Sequence, residues 1–359
     1  MPKEKYEVSY METKVAILEE QNIDKAIIKE AAEVIKQGGL VAFPTETVYG
    51  LGVNGLDENA VKKIYIAKGR PQDNPLILHV ADLNIKPYVK EIPKVAKRIM
   101  EKYWPGPITL LFEKSDIVPN ITTANLDTVG IRMPSNNIAR ELILASETPI
   151  AAPSANVSGR PSPTNVDSCI EDLSGKVEYI IGGSISEVGL ESTIVDCTVE
   201  PICILRPGAI TIEMLREIDE NIYIDPVVLK KPDGDFKPKA PGMKYRHYAP
   251  KAPVKIIKGD IKKTIAKINE IVLNYIEQEK TVGIIATDET KENYKNPIVV
   301  SLGSRHNLEE IAQNLFKVLR SFDSLDVDII LCEAFEEEGV GAAIMNRLKK
   351  SAGFDIIEV

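Results

Sequence analysis

A helical pattern gives way to a predicted strand within the stretch Ala67–His79, which reads AKGRPQDNPLILH. The residues before it carry an apolar face at helical spacing, and Asp57 stands where it can cap the helix start. Lys68 and Arg70 flank a glycine on the short turn that leads into the strand Pro75–Val80. Two cations held on such a turn suit an anion-binding site. The alternative is a solvated helix end, where Lys and Arg favour the negative end of the helix dipole.

The composition is that of a globular protein of about two domains, since 44% of its 359 residues are hydrophobic and 27% are charged. The formal net charge of −9 argues against a general affinity for nucleic acid, which needs a basic face. Met1–Gln21 is too polar for a signal peptide, and no apolar run approaches the roughly 18 residues of a membrane span. Four cysteines without paired spacing and three scattered histidines predict reduced thiols, a cytoplasmic location and no zinc site.

Strands and helices alternate irregularly in the first part of the chain, which predicts an α+β domain built on a mixed, twisted sheet with helices. We expect strands at residues 15–18, 40–43, 75–80, 108–112, 128–134, 150–152, 179–181, 192–196 and 202–205. We expect helices that begin near residues 22, 57, 94 and 137.

Polar loops follow several of these strands. Residues 44–52 (PTETVYGLG) and 153–164 (PSANVSGRPSPT) offer hydroxyl, amide and backbone N–H groups to a ligand. For the first loop an ordinary polar turn is an equal alternative. Arg132 stands among apolar neighbours in a strand, and it must be paired or face a site because an unpaired buried charge is costly. A structural salt bridge and a binding role are both open for it.

The composition changes between Asp219 and Pro250. Residues 230–239 have the Pro, Gly and charge content of a linker, whereas residues 240–250 (APGMKYRHYAP) are too aromatic for a tether, with a packed hinge as the alternative. From Val254 the elements alternate regularly, which predicts a smaller α/β, Rossmann-like domain with a parallel sheet. Its Gly-x-Gly at residue 339 lacks the third glycine of a dinucleotide fingerprint. The predicted divisions are 1–218 (catalytic domain), 219–250 (linker or lid) and 251–359 (Rossmann-like domain).

The sequence contains no P-loop, no Gly-x-Ser-x-Gly elbow and no metal-ligand cluster. Its polar loops instead supply Lys, Arg, Thr, Ser and Asn. Such groups suit phosphoryl or nucleotidyl transfer, because positioning and charge stabilisation provide most of that rate.

Five motifs occur in order along the first domain: PTETVYG at 44–50, KGR at 68–70 with Asn74 and His79, GIR at 130–132, SAN at 154–156 and EST at 191–193. Together they resemble the YrdC-like threonylcarbamoyl-AMP synthases. The segment 241–250 resembles the linker of the two-domain form of that family. The resemblance covers nearly the whole chain, apart from the first 20 or so residues and the variable part of the linker.

The resemblance implies a nucleotidyltransferase that makes threonylcarbamoyl-AMP and pyrophosphate from L-threonine, bicarbonate and ATP, with Mg²⁺ arriving on the nucleotide. The product would feed N6-threonylcarbamoyladenosine formation in tRNA through downstream threonylcarbamoyl-transfer machinery. Tight binding of tRNA itself is not expected.

The resemblance also implies residue roles. Threonine would be held by Thr45 or Thr47, His79, Arg132, Ala152 and Ser192, with Arg132 on its carboxylate. ATP would be surrounded by Lys68, Arg70, Asn74, Thr128, Ser154, Asn156, Ser162 and Arg206, with Tyr248 reaching back from the lid. The catalytic group would comprise Lys68, Arg70, Ser154 and Asn156.

Two other functions compete with this interpretation. The first domain could be an RNA-binding module without catalysis, which the net negative charge opposes. The carbamoyl-transfer proteins of hydrogenase maturation carry a similar domain, but their zinc-finger cysteine pairs are absent here. The role of the second domain is open from sequence alone.

Overall fold

The computed structural model describes residues 11–229, 238–243, 247–295 and 298–359. Within these residues the chain forms two sheets, one of eleven strands and one of five. No helix in the described ranges is both long and apolar enough to span a bilayer. Most of the predicted linker at 230–239 and residues 244–246 of the aromatic segment lie outside the described residues.

The first sheet carries helices along its connections. Its strands are β1 Lys14–Ile17, β2 Val41–Phe43, β3 Gly50–Asn54, β4 Ile77–His79, β5 Ile108–Glu113, β6 Thr128–Arg132, β7 Ile150–Ala152, β8 Tyr179–Gly182, β9 Thr193–Asp196, β10 Cys203–Arg206 and β11 Tyr223–Ile224. Its helices are α1 Lys25–Lys36, α2 Glu58–Lys68, α3 Lys94–Tyr103, α4 Asn137–Ser146, α5 Val166–Leu173 and α6 Ile212–Arg216, with a 3₁₀ turn at Pro226–Leu229.

The strand order of this sheet is β1-β8-β2-β3-β7-β4-β6-β5-β9-β10-β11, with parallel and antiparallel neighbours mixed. The predicted α+β class is therefore confirmed. The parallel register of β4 and β6 sets His79 beside Arg132, and the antiparallel register of β5 sets Thr109 on the other side of Arg132. Three polar side chains thus come to one end of three neighbouring strands.

The turn after α2 has the predicted construction. The Asp57 carboxylate accepts hydrogen bonds from the N–H groups of Asn59 and Ala60 at the helix start. Gly69 ends the helix with φ of 59°, a left-handed conformation that favours glycine. The chain then enters β4 within eight residues, so Lys68 and Arg70 are held against the sheet.

The second sheet is parallel throughout, in the order β14-β13-β15-β12-β16. Its strands are β12 Val254–Lys258, β13 Val282–Ala286, β14 Val299–Ser301, β15 Ile329–Glu333 and β16 Ile356–Glu358. Its helices are α7 Ile261–Ile276, α8 Leu308–Ser321 and α9 Val340–Ser351, with 3₁₀ turns at Lys291–Asn293 and Phe322–Ser324. The predicted parallel α/β domain is confirmed.

Helix α8 lies directly on the first domain. Val48 and Leu190 of the first domain belong to the same buried cluster as Phe316 of α8. At Gly189, whose φ is +74°, a Cβ atom would lie 2.3 Å from the Cα of Gln313. Only a glycine allows the two backbones to approach this closely.

Several elements were not predicted. β3 begins inside the predicted loop 44–52, and its Gly50 and Gly52 lie against the ring of Phe43, where larger side chains would not fit. Glycine is depleted in strands, so the two glycines among the five residues of β3 did not indicate a strand. Helix α5 and the short strands β11 and β16 were also missed, and β11 extends the first sheet beyond residue 218. The predicted domain boundaries stay a prediction.

Candidate active site

A cavity lies where the ends of β4, β6 and β7 meet the linker. It has a volume of about 70 Å³. Residues of the first domain that line it are Thr45, Thr47, Val48, Tyr49, Gly50, Arg70, Pro75, Leu76, Ile77, His79, Arg132, Ala152, Pro153, Ser154, Asn156, Arg160, Ser162, Glu191, Ser192 and Arg206. Linker residues that line it are Pro241, Gly242, His247 and Tyr248.

Most of the predicted site residues line this one cavity. They are Thr45, Thr47, Arg70, His79, Arg132, Ala152, Ser154, Asn156, Ser162, Ser192, Arg206 and Tyr248. Lys68, Asn74 and Thr128 are not among its lining residues. Thr128 lies at the start of β6, whereas Arg132 at the other end of that strand faces the cavity. The assignment of each residue to threonine or ATP stays a prediction.

Lys68 is buried, so the solvated helix end is excluded for this side chain. Its Nζ donates hydrogen bonds to the carbonyl oxygens of Ser154 and Asn156. Burial lowers the pKa of the Lys68 ammonium well below its usual value, and Arg70 nearby adds to this. In this conformation Lys68 therefore positions the polar loop that follows β7.

Arg70 holds the turn that precedes β4. Its Nε donates to the carbonyl oxygen of Asn74 at 3.2 Å, and its Nη2 donates to that of Pro75 at 3.0 Å. The Asn74 side chain is buried, and its Oδ1 has no hydrogen-bond partner among the described residues. The two predicted nucleotide contacts thus belong to one turn, with Arg70 reaching the cavity.

Arg132 is buried and paired. Its Nη2 lies 2.8 Å from Oε1 of Glu46, and its Nη1 donates to Oγ1 of Thr47 at 2.8 Å. The structure therefore combines the two interpretations left open for Arg132, a buried ion pair and a place on the cavity wall. Its Nε makes no hydrogen bond to a described residue. Its Nη2 is likewise without a hydrogen bond although it lies beside Glu46, so N–H donors of Arg132 remain for an anion.

The two threonines of the first loop have different partners. Oγ1 of Thr45 donates to the carbonyl oxygen of Val48 at 2.6 Å and lies 2.9 Å from Oγ1 of Thr47. Because the Thr45 proton is used in this way, the hydroxyl of Thr47 is the donor between them. Thr47 also accepts from Arg132, so it is the threonine coupled directly to the buried guanidinium.

His79 is a neutral imidazole in this structure. Burial, together with the charge of Arg132, lowers the pKa of His79 to about 3. Its Nδ1 lies 3.1 Å from the carbonyl oxygen of Ile77, which places the proton on Nδ1. The Nε2 atom is then an acceptor, which suits an ammonium or a hydroxyl group of a ligand.

Arg206 ends β10 at a second position on the cavity wall. Its Nε donates to the carbonyl oxygen of Ser192 at 3.0 Å, and its Nη2 lies 3.2 Å from Oγ of the same serine. Burial and the neighbouring Arg347 lower the pKa of Arg206 to about 10. It forms no ion pair within the described residues, which leaves its positive charge available to an anion.

A buried ion-pair network ties the loop 153–164 to α8. Asp172 accepts from Nη2 of Arg320 at 2.8 Å and also binds Arg160. The carbonyl oxygen of Arg160 in turn accepts from Nδ2 of Asn156 at 2.9 Å. Sequence reasoning gave these residues no role, since Asp172 and Arg320 stand 148 residues apart.

The described part of the linker covers the cavity. Ala240 and Met243 pack against Ile77 and Ile194 of the first sheet. Tyr248 is buried, adopts φ of +63°, and packs in the cluster built around α8. The described part of the linker therefore touches both domains, and its function as a lid stays a prediction.

Glu46 and Glu191 are carboxylates of the cavity region that received no predicted role, although both stand inside quoted motifs. The sequence feature that could have identified both glutamates is a charged residue inside a buried motif of small residues. Among the described residues no group of three or more His, Cys, Asp or Glu side chains could hold a metal ion.

Two family models match the chain. Residues 33–208 match the family described as "Telomere recombination", and residues 210–353 match "Threonylcarbamoyl-AMP synthase, C-terminal domain". The chain is 49% identical to the threonylcarbamoyl-AMP synthase of Pyrococcus abyssi over 94% of its length and 98% of that protein. It is 43% identical to the threonylcarbamoyl-AMP synthase of Bacillus subtilis over 96% of its length and 98% of that protein.

A solved structure shows that the similarity extends to the fold. The crystal structure of Pyrococcus abyssi Sua5 complexed with L-threonine superimposes with a TM-score of 0.92 at 48% identity, covering 97% of this chain and 100% of that one. Both halves of the fold are included in that match. The chain therefore belongs to the threonylcarbamoyl-AMP synthases, a family of nucleotidyltransferases, in its two-domain form.

Proposed function

We propose that this cavity is where the chain converts L-threonine, bicarbonate and ATP into threonylcarbamoyl-AMP and pyrophosphate. The observation that carries the proposal is the buried Arg206, a cation without an ion pair among the described residues, on the wall of a cavity that Arg70 and Arg132 also line. Buried cations are costly unless an anion compensates them. ATP and an amino-acid carboxylate supply such anions.

The threonine end of the cavity would be formed by Arg132, Thr47 and His79. The Nε of Arg132 is placed to bind the threonine carboxylate, since its other contacts go to Glu46 and Thr47. Nε2 of His79 would accept a hydrogen bond from the threonine hydroxyl or amine. Ser192 and the backbone at Ala152 would complete this pocket.

The reaction balances without a covalent enzyme intermediate. The threonine amine attacks the bicarbonate carbon, and loss of water leaves a carbamate. A carbamate oxygen then attacks the α-phosphorus of ATP, the bond from that phosphorus to the bridging oxygen breaks, and pyrophosphate leaves. Bringing two anions together requires positive charge, which Arg70 and Arg206 would supply, while Lys68 fixes the adjacent loop.

Mg²⁺ would be held mainly by the ATP phosphates. Oδ1 of Asn156 is buried on the cavity wall without a hydrogen-bond partner among the described residues, and an amide oxygen is a ligand that Mg²⁺ accepts. The metal would neutralise phosphate charge. Ser154 and Ser162 offer hydroxyl groups nearby.

The lid would have to move during each turnover. A volume of about 70 Å³ is far below the several hundred Å³ of typical small-molecule sites, so the cavity as it stands does not admit ATP. Movement of the linker residues that line the cavity, Pro241, Gly242, His247 and Tyr248, would admit the nucleotide. Closure would then exclude water from a product that water hydrolyses.

Mass spectrometry of the product tests this function. Purified protein is incubated with ATP, Mg²⁺, bicarbonate and L-threonine, and each component is omitted in turn. We expect threonylcarbamoyl-AMP that disappears without threonine or without bicarbonate, and that gains mass when the bicarbonate carbon is isotopically labelled. No adduct, with retained binding of structured RNA, would favour an RNA-binding module instead. Transfer of the product to tRNA by further proteins is the expected downstream step.

A further inference from the structure

Arg347 of α9 reaches from the second domain into the wall of the active site. Its side chain is fully buried. Its Nε donates to Oε2 of Glu191 at 2.9 Å, and its Nη2 donates to the backbone carbonyl of Glu191 at 3.0 Å. Its Nη1 donates to the carbonyl oxygen of Pro207 at 2.7 Å. One guanidinium thus fixes both the carboxylate and the main chain of Glu191.

Glu191 itself faces the cavity. Its Oε1 accepts a hydrogen bond from Oγ of Ser162 at 2.5 Å, and both residues line the cavity. Ser192, the next residue, carries the contacts to Arg206. Burial raises the pKa of Glu191, but Arg347, Arg206 and the Ser162 hydroxyl outweigh this and lower it overall, so the side chain is a carboxylate at neutral pH.

The charge of Glu191 opposes the proposed substrate. A carboxylate in the wall of a low-dielectric cavity repels the phosphates of ATP unless a cation compensates it. Arg206 already contributes to stabilising the Glu191 carboxylate, and if Arg347 were absent it would have to provide most of the compensation and would be withdrawn from the nucleotide. With Arg347 in place, the ion pair of Glu191 is made with Arg347 on the side away from the cavity, and Arg206 remains available to the nucleotide.

We propose that Arg347 is a positioning residue of the reaction: it neutralises and orients Glu191 from the second domain, and it thereby keeps the cavity of the first domain able to bind the phosphates of ATP. The inference rests on the proposed function and gives the second domain a defined role. Arg347 touches no substrate in this arrangement, because it lies behind Glu191 and is not among the lining residues.

The test compares ATP affinity in Arg347→Met, Glu191→Gln and the double variant, in the full-length protein. We expect Arg347→Met to weaken ATP binding by at least about tenfold, with a much smaller effect on L-threonine binding. Adding Glu191→Gln to Arg347→Met should restore most of the ATP affinity, because the uncompensated charge is then gone. Titration calorimetry with ATP and Mg²⁺ alone measures binding without turnover.

Arg320→Met is the matched control. Arg320 is also a buried arginine of the second domain that pairs with a carboxylate of the first, Asp172, but it makes no contact with Glu191. Because Arg320 also holds the loop 153–164 through the carbonyl oxygen of Pro161, we expect Arg320→Met to lower the melting temperature, and any loss of ATP affinity to persist when Glu191→Gln is added. If Glu191→Gln restores ATP affinity to Arg320→Met as well, or fails to restore it to Arg347→Met, Arg347 only docks the domains and the proposal is wrong.

Glu191→Gln alone covers the case in which Arg347→Met does not fold. The single variant removes the anion and leaves Arg347, so we expect ATP to bind at least as tightly as to the wild type. Weaker binding would overturn the proposal. The proposed function is judged separately by product formation in the wild type, because the ATP affinities are measured without threonine or bicarbonate.

Discussion

The phenol ring of Tyr248 stacks on the ring of Phe316, with centroids 5.0 Å apart and planes 30° from parallel. Tyr248 belongs to the linker and lines the cavity, whereas Phe316 belongs to α8 of the second domain. Through this contact the second domain holds the ring of Tyr248 in place at the cavity. The same side chain therefore has one face toward the active site region and one toward a neighbouring domain.

Phe316→Leu should loosen the lid. The substitution retains an apolar side chain of similar size but removes the stacking, which is worth about 0.5–1.5 kcal/mol. We expect ATP affinity to fall about 2- to 10-fold in titration calorimetry. Phe322→Leu is the matched control, because the ring of Phe322 packs against Gly283. Equal losses of affinity in the two variants would contradict a role for the stacking.

Lys68→Met should lower the activity without lowering the stability of the protein. The variant loses two hydrogen bonds to the loop at Ser154 and Asn156 but also removes a buried ammonium. We expect product formation to fall by at least about 100-fold, as when a preorganised charged group is removed, with a melting temperature close to that of the wild type. Lys63→Met, on the same helix with its Nζ on the carbonyl of Gly38, should retain activity. An active Lys68→Met would remove Lys68 from the mechanism.

Arg132→Lys should impair threonine binding selectively. A lysine keeps the charge but cannot reach Glu46 and Thr47 while also offering a third donor in a fixed plane. We expect the KM for L-threonine to rise about 10- to 100-fold, the value of one charged hydrogen bond, while the KM for ATP changes little. Initial rates at varied concentrations of each substrate measure both constants. A rise confined to ATP would place Arg132 at the other end of the cavity.

Lys350→Met should change the pH dependence of stability. Nζ of Lys350 donates to the carbonyl oxygen of Gly242 in the lid at 2.8 Å, and burial, with Arg347 and Arg206 nearby, lowers the pKa of Lys350 to about 7. An unfolded lysine has a pKa of about 10.4, so between roughly pH 7 and 10 the unfolded chain binds the additional proton. The free energy of unfolding therefore rises with pH in this window.

The expected difference in slope between the wild type and Lys350→Met is up to about 1.4 kcal/mol per pH unit. Urea unfolding at pH 7, 8 and 9 (values chosen inside the roughly pH 7 to 10 window) measures it. The charged or titratable groups facing Lys350 are Arg347, Arg206, Glu191 and His247. Lys349→Met, on the same helix with its partner Glu337, should retain the wild-type slope. Parallel curves for all three proteins would contradict the assignment.

The elements of the second domain could be predicted closely from sequence. Strand β12 begins at the predicted Val254, and helices α7, α8 and α9 alternate with the strands as the pattern predicts, because each of these signals is local. The polar loops of the first domain also converge as predicted, since strand ends of one sheet lie together.

The contacts that complete the site could not be predicted in the same way. Glu46 and Arg132 pair across 86 positions, and Glu191 and Arg347 across 156, so no periodic pattern connects them. A weaker signal was present in α9, where Arg347 stands one turn after Ala343 and Ile344 on the buried face. A cation at such a position implies a buried partner, but the sequence does not name it.

Gly189 has a consequence for how the two domains can diverge. Because a single methyl group at this position would collide with the backbone of α8, a common point mutation would push apart surfaces that also carry Phe316 and Arg347. Neither domain can then change its contact surface independently, since the distance between them depends on the absence of a side chain at Gly189. Loss of this glycine would therefore disturb the contact that holds Glu191 as well as the spacing of the domains.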